Sequence, residues 1–171
     1  HHAAYLNAVH DIVDLSNITP LLKGSALTDE SVQVPEGHYA EDSMRATIVP
    51  NRNAMMLAIA YAAAVSEGAE IVAAGVHAGD HWVYPDCRPE FVDSFAAMEL
   101  LATEADIKLY TPWMNVQKAD IVIRAIELGV DLSESWSCYQ GGDMHCGRCG
   151  TCVERIEAFQ LANVKDPTVY A

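Results

Sequence analysis

The chain has 171 residues, about one domain's worth, and its 10 basic and 24 acidic residues give a formal net charge of −14 at neutral pH. Apolar residues make up 51% and charged residues 20%, which is typical of a folded globular protein and excludes a disordered chain. So few Lys and Arg residues are present that we expect no basic surface for nucleic acid or for an anionic membrane.

The N-terminal part of the chain predicts little regular structure. It opens with His1 and His2, so we expect its first residue not to be the start of the gene, and we expect no signal peptide. Residues 9–15 (VHDIVDL) alternate roughly in polarity and predict a strand. Residues 19–47 are polar and interrupted by prolines, which predicts a long functional or mobile loop. The longest apolar stretch, residues 54–65, is too short to cross a bilayer.

Helices and strands are predicted to alternate through the middle of the chain. Residues 54–67 are rich in Ala, Met and Leu and apolar on almost every side, which predicts a helix buried between layers. Asn51 or Asn53 is the expected cap of this helix, and Gly68 its expected C-terminal stop. The continuous apolar run 70–76 predicts a parallel strand covered on both faces.

The same alternation continues to residue 129. Residues 89–104, opening with a proline, predict a second helix, and residues 107–110 predict a second strand. Asn115 is the expected cap of a third helix that ends at Gly129, and residues 153–162 predict a last short helix. This succession predicts an α/β fold whose mostly parallel sheet has helices on both faces.

Four of the five cysteines lie close together in the spacing C-x7-C-x2-C-x2-C. Such proximity favours shared metal ligation over disulfide bonds, and it indicates a reducing, cytoplasmic compartment. Four thiolates suit a closed, tetrahedral zinc site of structural type. An iron–sulfur cluster also uses four cysteines, but this spacing does not match the ferredoxin pattern, so zinc is favoured. The predicted ligands are Cys138, Cys146, Cys149 and Cys152, with the adjacent His145 as a possible substitute.

Two segments are predicted at the carboxyl ends of the strands, where open parallel sheets bind ligands. Residues 76–88 (VHAGDHWVYPDCR) form either a substrate loop or, equally well, a polar surface loop. Residues 49–53 begin a helix where Arg52 could hold a phosphate or carboxylate, although a capped helix with a solvated arginine is the plainer interpretation. Lys118, in the first turn of the third helix, weakly indicates a nearby anion or is simply solvated. Cys87 is either a buried small residue or a nucleophile.

Several strings resemble, in the same order, those of the 7-cyano-7-deazaguanine synthase family. They are residues 49–53 (VPNRN), residues 84–91 (YPDCRPEF), residues 137–139 (SCY) and the cysteine array, and the resemblance extends from about residue 9 to the C-terminus. It implies an α/β fold of the PP-loop ATP pyrophosphatase type. It also implies an ATP-dependent ligase that converts 7-carboxy-7-deazaguanine and ammonia into the nitrile, by adenylation of the carboxylate, amide formation and dehydration. ATP with Mg²⁺, a structural zinc ion and a homodimer are implied as well.

Charge complementarity to such a substrate suggests roles for individual residues, and the resemblance itself identifies the metal ligands. We expect Asp86 to accept hydrogen bonds from the amidine edge of the base, and Arg52 and Lys118 to face phosphates or the substrate carboxylate. The four cysteines would be the zinc ligands of a segment over residues 136–171, which follows an α/β domain over residues 1–135. The expected catalytic residues are Asp86, Cys87, Arg88 and Lys118, and the expected substrate-binding residues are Arg52, Asn53, His77, Asp80, Tyr84 and Phe91.

The sequence departs from the family pattern at the ATP site. The family's Ser-Gly-Gly-x-Asp-Ser loop is not among these residues, and we expect an incomplete chain rather than a degenerate relative. Asn51 stands where the family usually has Gly, and a left-handed backbone would tolerate Asn there. Two other functions stay open. One is a zinc-stabilised, non-catalytic module that binds a purine-like ligand or a protein partner, and the other is a different PP-loop adenylating enzyme.

Overall fold

The computed structural model describes residues 2–39 and 42–171, and its regular elements within these residues are two strands and five α-helices. Strands β1 (Ile71–Ala73) and β2 (Lys108–Tyr110) are parallel, and Val72 lies opposite Leu109. The helices are α1 (His2–Tyr5), α2 (Arg52–Glu67), α3 (Pro89–Thr103), α4 (Lys118–Glu127) and α5 (Gly150–Leu161). Short 3₁₀ turns lie at Ser16–Leu21, Asp42–Thr47, Ala78–Trp82, Pro85–Cys87 and Leu132–Glu134.

The predicted fold class is confirmed, because the chain combines a parallel sheet with helices and carries its cysteine cluster near the C-terminus. In the predicted loop over residues 19–47, the described residues form only turns and irregular structure, while residues 40 and 41 lie outside the described residues. None of the helices described is long and apolar enough to cross a membrane.

Helix α2 begins and ends close to the predicted positions. Asn51 precedes it with a left-handed φ of 58°, and Gly68 ends it with a φ of 65°. The prediction that this helix is buried on all sides is wrong, since only one side packs against the sheet and α3 while Met56 and Val65 face solvent. Its buried side chains are Leu57, Tyr61 and Ala64.

Strand β1 is shorter than predicted and is covered on one face. Val72 is buried against Tyr61 of α2 and Phe95 of α3, whereas Ile71 and Ala73 on the other face are exposed. The predicted cover on both faces is therefore wrong for this strand. An apolar run alone does not distinguish one covered face from two, because alanine and isoleucine are tolerated at the surface.

Three further features differ from the sequence prediction. Residues 9–15 form no strand and are largely exposed, because no neighbouring strand among the described residues accepts their hydrogen bonds. Asn115 lies in a turn closed by the bond from the Val116 N–H to the Trp113 carbonyl, so α4 starts at Lys118 instead. Helix α5 begins three residues early, within the cysteine cluster itself.

The core connects the sheet layer to the C-terminal segment. One cluster lies between the turns near residue 44 and the carboxyl ends of the strands, and a second lies between α2, α3 and β1. A third joins α4 to α5 through Val122, Ala158 and Phe159, across the predicted boundary at residue 135. That domain boundary itself stays a prediction.

Candidate functional site

A cavity of about 380 Å³ opens at the carboxyl ends of β1 and β2. Ala73 at the end of β1 and the next three residues form part of its wall, and Thr111 follows β2. The N-terminal turns of α2 and the turn Pro85–Cys87 form the opposite side. Apolar side chains such as Leu57 and Leu109 line much of it, and the polar side chains that reach it include Arg52, Asn53, Asp80, Asp86 and Cys87.

The two segments predicted at the strand ends are joined by hydrogen bonds around Asn53. Its backbone N–H donates to Asp86 Oδ2 at 2.9 Å, and its side-chain Nδ2 donates to the Asp86 carbonyl at 2.9 Å and to Cys87 Sγ at 3.1 Å. The Asp86 carboxylate therefore caps α2 from a different segment, with its negative charge at the positive end of the helix. The predicted capping role of Asn53 is wrong, since Asn53 itself receives the cap, and Asn51 makes no side-chain capping bond.

Cys87 is a buried thiol at the edge of this cavity, with only 2% of its surface exposed. Burial, together with the nearby carboxylates of Asp80 and Asp86, raises its pKa to about 12, although Arg52 and Asn53 act in the opposite direction. The thiol is therefore neutral at physiological pH. Its environment disfavours attack as a free thiolate, which is the reactive form of cysteine.

Tyr84, Arg88 and Phe91 lie near this cavity but do not line it. Tyr84 is almost fully buried, and its hydroxyl contacts Thr47 Oγ1 at 2.7 Å and the Tyr139 hydroxyl at 2.9 Å. The Arg52 guanidinium lies 5.5 Å from the centre of the Tyr84 ring. Arg88 is exposed and donates through Nε to a backbone carbonyl, whereas Phe91 packs between two core clusters.

Asp80 belongs both to the main cavity and to a neighbouring buried polar cluster. It accepts hydrogen bonds from the Tyr39 hydroxyl at 3.2 Å and from the His77 N–H at 3.2 Å, and His77 Nε2 lies 3.4 Å from its carboxylate. His77 Nδ1 accepts the Gly79 N–H at 3.1 Å. Burial lowers the pKa of His77, and Asp80 only partly opposes this effect. The hydrogen bonds thus favour a neutral imidazole with its proton on Nε2.

Lys118 faces a second cavity, also of about 380 Å³, between the start of α4 and helix α5. Its ammonium group forms an ion pair with Glu154 and lies 5.6 Å from the centre of the Tyr39 ring. The anion beside Lys118 in this structure is therefore a carboxylate of the protein. Sequence reasoning missed Glu154 and Tyr39. The lysine at the start of a helix weakly indicated an anion nearby, but it did not indicate that this anion is one of the 24 acidic side chains of the chain.

The four predicted metal ligands converge in space. All four sulfur atoms lie within 4.8 Å of one another, and Cys146 Sγ is 3.9 Å from Cys152 Sγ. Tetrahedral zinc with Zn–S bonds near 2.3 Å places its sulfurs about 3.8 Å apart, so this arrangement fits the ion. The N–H groups of Cys146, Arg148 and Cys149 point at sulfur atoms at 3.2–3.4 Å, as expected for stabilised thiolates.

Thr151 and His145 lie next to ligands of the cysteine cluster and have different roles. Burial acts to raise the pKa of Cys149, but hydrogen bonds led by that from Thr151 lower it below its ordinary value, which favours the thiolate form that ligates metals. Burial raises the pKa of the neighbouring Cys152. His145 is not positioned as a substitute ligand. Its Nε2 accepts the Ser137 N–H at 3.1 Å, and its ring packs at a tilt against Trp136 with centroids 4.2 Å apart.

Comparisons with known proteins identify relatives of this chain. A family model described as "Queuosine biosynthesis protein QueC" matches residues 1–163. Proteins named 7-cyano-7-deazaguanine synthase are similar to this chain: that of Brucella anthropi is 55% identical over 170 residues, which are 98% of this chain and 73% of the relative. That of Sinorhizobium fredii is 57% identical over 98% of this chain and 72% of the relative. That of Ruegeria sp. is 54% identical over 99% of this chain and 73% of the relative.

Proposed function

The chain belongs to the QueC family of queuosine biosynthesis proteins, and from this we propose that it acts as a 7-cyano-7-deazaguanine synthase. The proposed reaction is an ATP-dependent ligation of 7-carboxy-7-deazaguanine with ammonia, followed by dehydration to the nitrile. Adenylation turns a carboxylate oxygen into a good leaving group, and ammonia then displaces AMP to give the amide. A second adenylation of the amide oxygen allows AMP to leave again as the nitrile forms.

The observation that carries this proposal is the convergence of charged and apolar groups in the cavity at the strand ends. A flat bicyclic base suits a cavity of about 380 Å³ whose walls include Leu57, Val92 and Leu109. The carboxylate of Asp86 and the guanidinium of Arg52 lie on the lining of the same cavity. The Asp86 carboxylate suits the N–H donors of a guanine-like edge. The Arg52 guanidinium suits the substrate carboxylate or the phosphate of its adenylate.

Of the two carboxylates that line the cavity, Asp86 is better placed than Asp80 to accept hydrogen bonds from the base. Its Oδ2 caps α2, whereas both oxygens of Asp80 are engaged by Tyr39 and His77. Oδ1 of Asp86 accepts only a long bond of 4.0 Å from Cys87 Sγ, so we propose that this oxygen also accepts a hydrogen bond from the amidine edge. Asn53 would hold the Asp86 segment in place through its three hydrogen bonds.

The remaining expected site residues have more indirect positions. We propose that Tyr84 and Phe91 shape the wall behind Arg52, that His77 orients Asp80, and that Cys87 contributes a neutral thiol to the pocket rather than a nucleophile. The catalytic role of Arg88 stays a prediction, as does the contact of Lys118 with phosphates or the substrate carboxylate. For Lys118 such a contact requires exchange of its present partner, Glu154.

The proposed zinc ligands are residues of this chain, whereas the proposed use of ATP depends on the family resemblance. The four cysteines would hold a structural zinc ion that keeps the C-terminal segment folded. ATP with Mg²⁺ and ammonia are proposed as co-substrates from the family resemblance, because the expected pyrophosphate loop is not among these 171 residues. A homodimer and a cytoplasmic compartment are also proposed, and the free thiols support a reducing environment.

The test is the Asp86→Asn variant of the native protein, assayed with 7-carboxy-7-deazaguanine, ammonium, ATP and Mg²⁺ by mass-spectrometric detection of the nitrile. We expect the wild type to form the nitrile with release of AMP. In the variant we expect KM for the carboxylate substrate to rise about tenfold or more, because a charge-assisted hydrogen bond is weakened. Zinc content, measured by atomic emission, should not change.

Asp93→Asn, an exposed change on α3, is the matched control and should leave KM unaltered. Binding of the base without ATP-dependent nitrile formation by the wild type would contradict the synthase proposal in favour of a non-catalytic purine-binding module. Adenylation of a different acceptor would favour another PP-loop enzyme. An unchanged KM in Asp86→Asn would remove Asp86 from the pocket.

A further inference from the structure

A chain of three hydroxyl groups, two on buried residues and one on the half-buried Tyr139, connects the cysteine cluster to the cavity wall. Thr47 Oγ1 donates to the Met44 carbonyl at 2.7 Å, so it must accept from the Tyr84 hydroxyl. The Tyr84 hydroxyl has a single proton, which it donates to Thr47. It must therefore accept from the hydroxyl of Tyr139 at 2.9 Å. The donor order is therefore fixed from Tyr139 through Tyr84 to Thr47. Tyr139 directly follows Cys138, one of the four metal ligands.

Packing reinforces this connection. Gly150 follows the ligand Cys149, and a Cβ at position 150 would overlap the sulfur of Met44. Met44 and Thr47 are fully buried, and both belong to the short turn that supports Tyr84. The backbone at Gly150 thus packs directly on the turn that contains Met44 and Thr47, and no side chain would fit between them.

Tyr84 in turn supports the groups that line the cavity. Its ring lies under the Arg52 guanidinium, 5.5 Å from centroid to Cζ. It also immediately precedes the turn Pro85–Cys87, which brings Asp86 and Cys87 to the lining. A shift of the Tyr84 ring would therefore move a cation, a carboxylate and a thiol of the same cavity together.

We propose that Tyr139 is a positioning residue, which fixes Tyr84 through its hydroxyl and thereby couples the metal-bound segment to the placement of Arg52 and the turn Pro85–Cys87. Its effect on substrate rests on the proposed function, but its effect on the cavity does not. Tyr139 does not line the cavity itself, and its hydroxyl interacts both with Tyr84 and with Tyr39, whose own hydroxyl donates to the cavity residue Asp80. The cysteine segment is then a support for the cavity as well as a stabiliser of the C-terminus.

The test is Tyr139→Phe, which deletes the hydroxyl and keeps the ring. Two readouts are used on zinc-loaded protein: the rate of Cys87 alkylation by iodoacetamide, followed by mass spectrometry of its peptide, and the Kd of 7-carboxy-7-deazaguanine by calorimetry. We expect Cys87 to react faster, and Kd and KM to rise, by about threefold to tenfold, the range for one lost buried hydrogen bond. We expect kcat to change less than twofold and zinc content not at all.

Tyr170→Phe is the matched control, because this hydroxyl also lies beside the cysteine cluster but donates to Asp166, away from the cavity. It should leave Cys87 reactivity unchanged. In a double-mutant cycle, Tyr139→Phe should have a clearly smaller effect on Cys87 once Tyr84 is Phe. Equal effects of the two tyrosine changes on Cys87, or full additivity with Tyr84→Phe, would overturn the proposal.

These outcomes separate the two proposals. If Cys87 alkylation responds as expected while the base does not bind to either protein, the proposed function fails and the positioning role stands. If the base binds and Tyr139→Phe alters neither Kd nor alkylation, the positioning role fails and the proposed function stands.

Discussion

At the scale of single residues, His77 is held in its neutral form by the fold. Its side chain is 8% exposed, and its Nδ1 accepts the Gly79 N–H, so protonation of Nδ1 would break the cap of the turn Ala78–Trp82. Burial accordingly lowers its pKa below the usual value of 6.5. A lowered pKa in the folded state means that the unfolded state binds the proton more readily. The contribution of neutral His77 to the free energy of unfolding is therefore fully present above pH 6.5. It is lost as the pH falls from 6.5 through the folded-state pKa.

We expect the free energy of unfolding of the wild type, measured by urea denaturation, to fall between pH 7.5 and pH 5. In His77→Asn the amide oxygen can still accept the Gly79 N–H but does not titrate, so the decline should be shallower. The exposed His10→Asn serves as control and should retain the wild-type decline. A His77→Asn variant with the same slope as the wild type would contradict the argument.

Residue identities in the site were predictable only where the signal was local. The four cysteines lie within 15 residues, from Cys138 to Cys152, and their spacing alone identified a group that the structure brings together. The bond between Asn53 and Asp86 spans 33 positions, and no local pattern indicated that Asp86 caps a helix. The pairing of Lys118 with Glu154 spans 36 positions and was missed for the same reason.

At the scale of elements, helix α2 depends on a left-handed residue just before it. Asn51 has a φ of 58°, a conformation that costs most L-residues about 1–2 kcal/mol and that Asn and Gly tolerate best. We expect Asn51→Gly to change the free energy of unfolding by less than about 0.5 kcal/mol, and Asn51→Val to lower it by about 1–2 kcal/mol. Urea denaturation measures both.

Asn115→Val is the matched control for this pair, because Asn115 is exposed and is not among the residues with positive φ. It should cost clearly less than Asn51→Val. If the two valine variants lose the same stability, the left-handed backbone at position 51 does not control the start of α2.

The elements that sequence predicted well are those whose ends carry their own signals. Gly68 and Pro89 mark helix boundaries through their backbone preferences, and both act as expected in the structure. Residues 9–15 have strand-like alternation but no strand, because a strand requires a partner that the segment itself does not specify. The face on which β1 is buried was likewise unpredictable, since it depends on where α2 and α3 pack.

At the scale of the whole molecule, the cysteine cluster lies between parts of the chain that are distant in sequence. An isolated antiparallel β-bridge pairs Glu36 with Cys149, and Gly150 packs on Met44. The cysteine segment therefore contacts the turns that precede α2. Helix α5, which begins inside the cluster, packs against α4 through Phe159. A metal ion at the cluster would therefore stabilise contacts on both sides of the predicted boundary at residue 135.

We expect removal of zinc by a strong chelator to destabilise the chain as one cooperative unit. Because binding of a structural zinc ion is coupled to folding, the melting temperature should fall by more than about 10 °C, in a single transition. Hydrogen exchange should show α2 and α5 losing protection together, and added zinc should restore both. Cys149→Ser should mimic chelation, whereas Cys87→Ser, outside the cluster, should keep its zinc. Loss of protection in α5 alone, with α2 unaffected, would instead identify residues 136–171 as an independently unfolding domain.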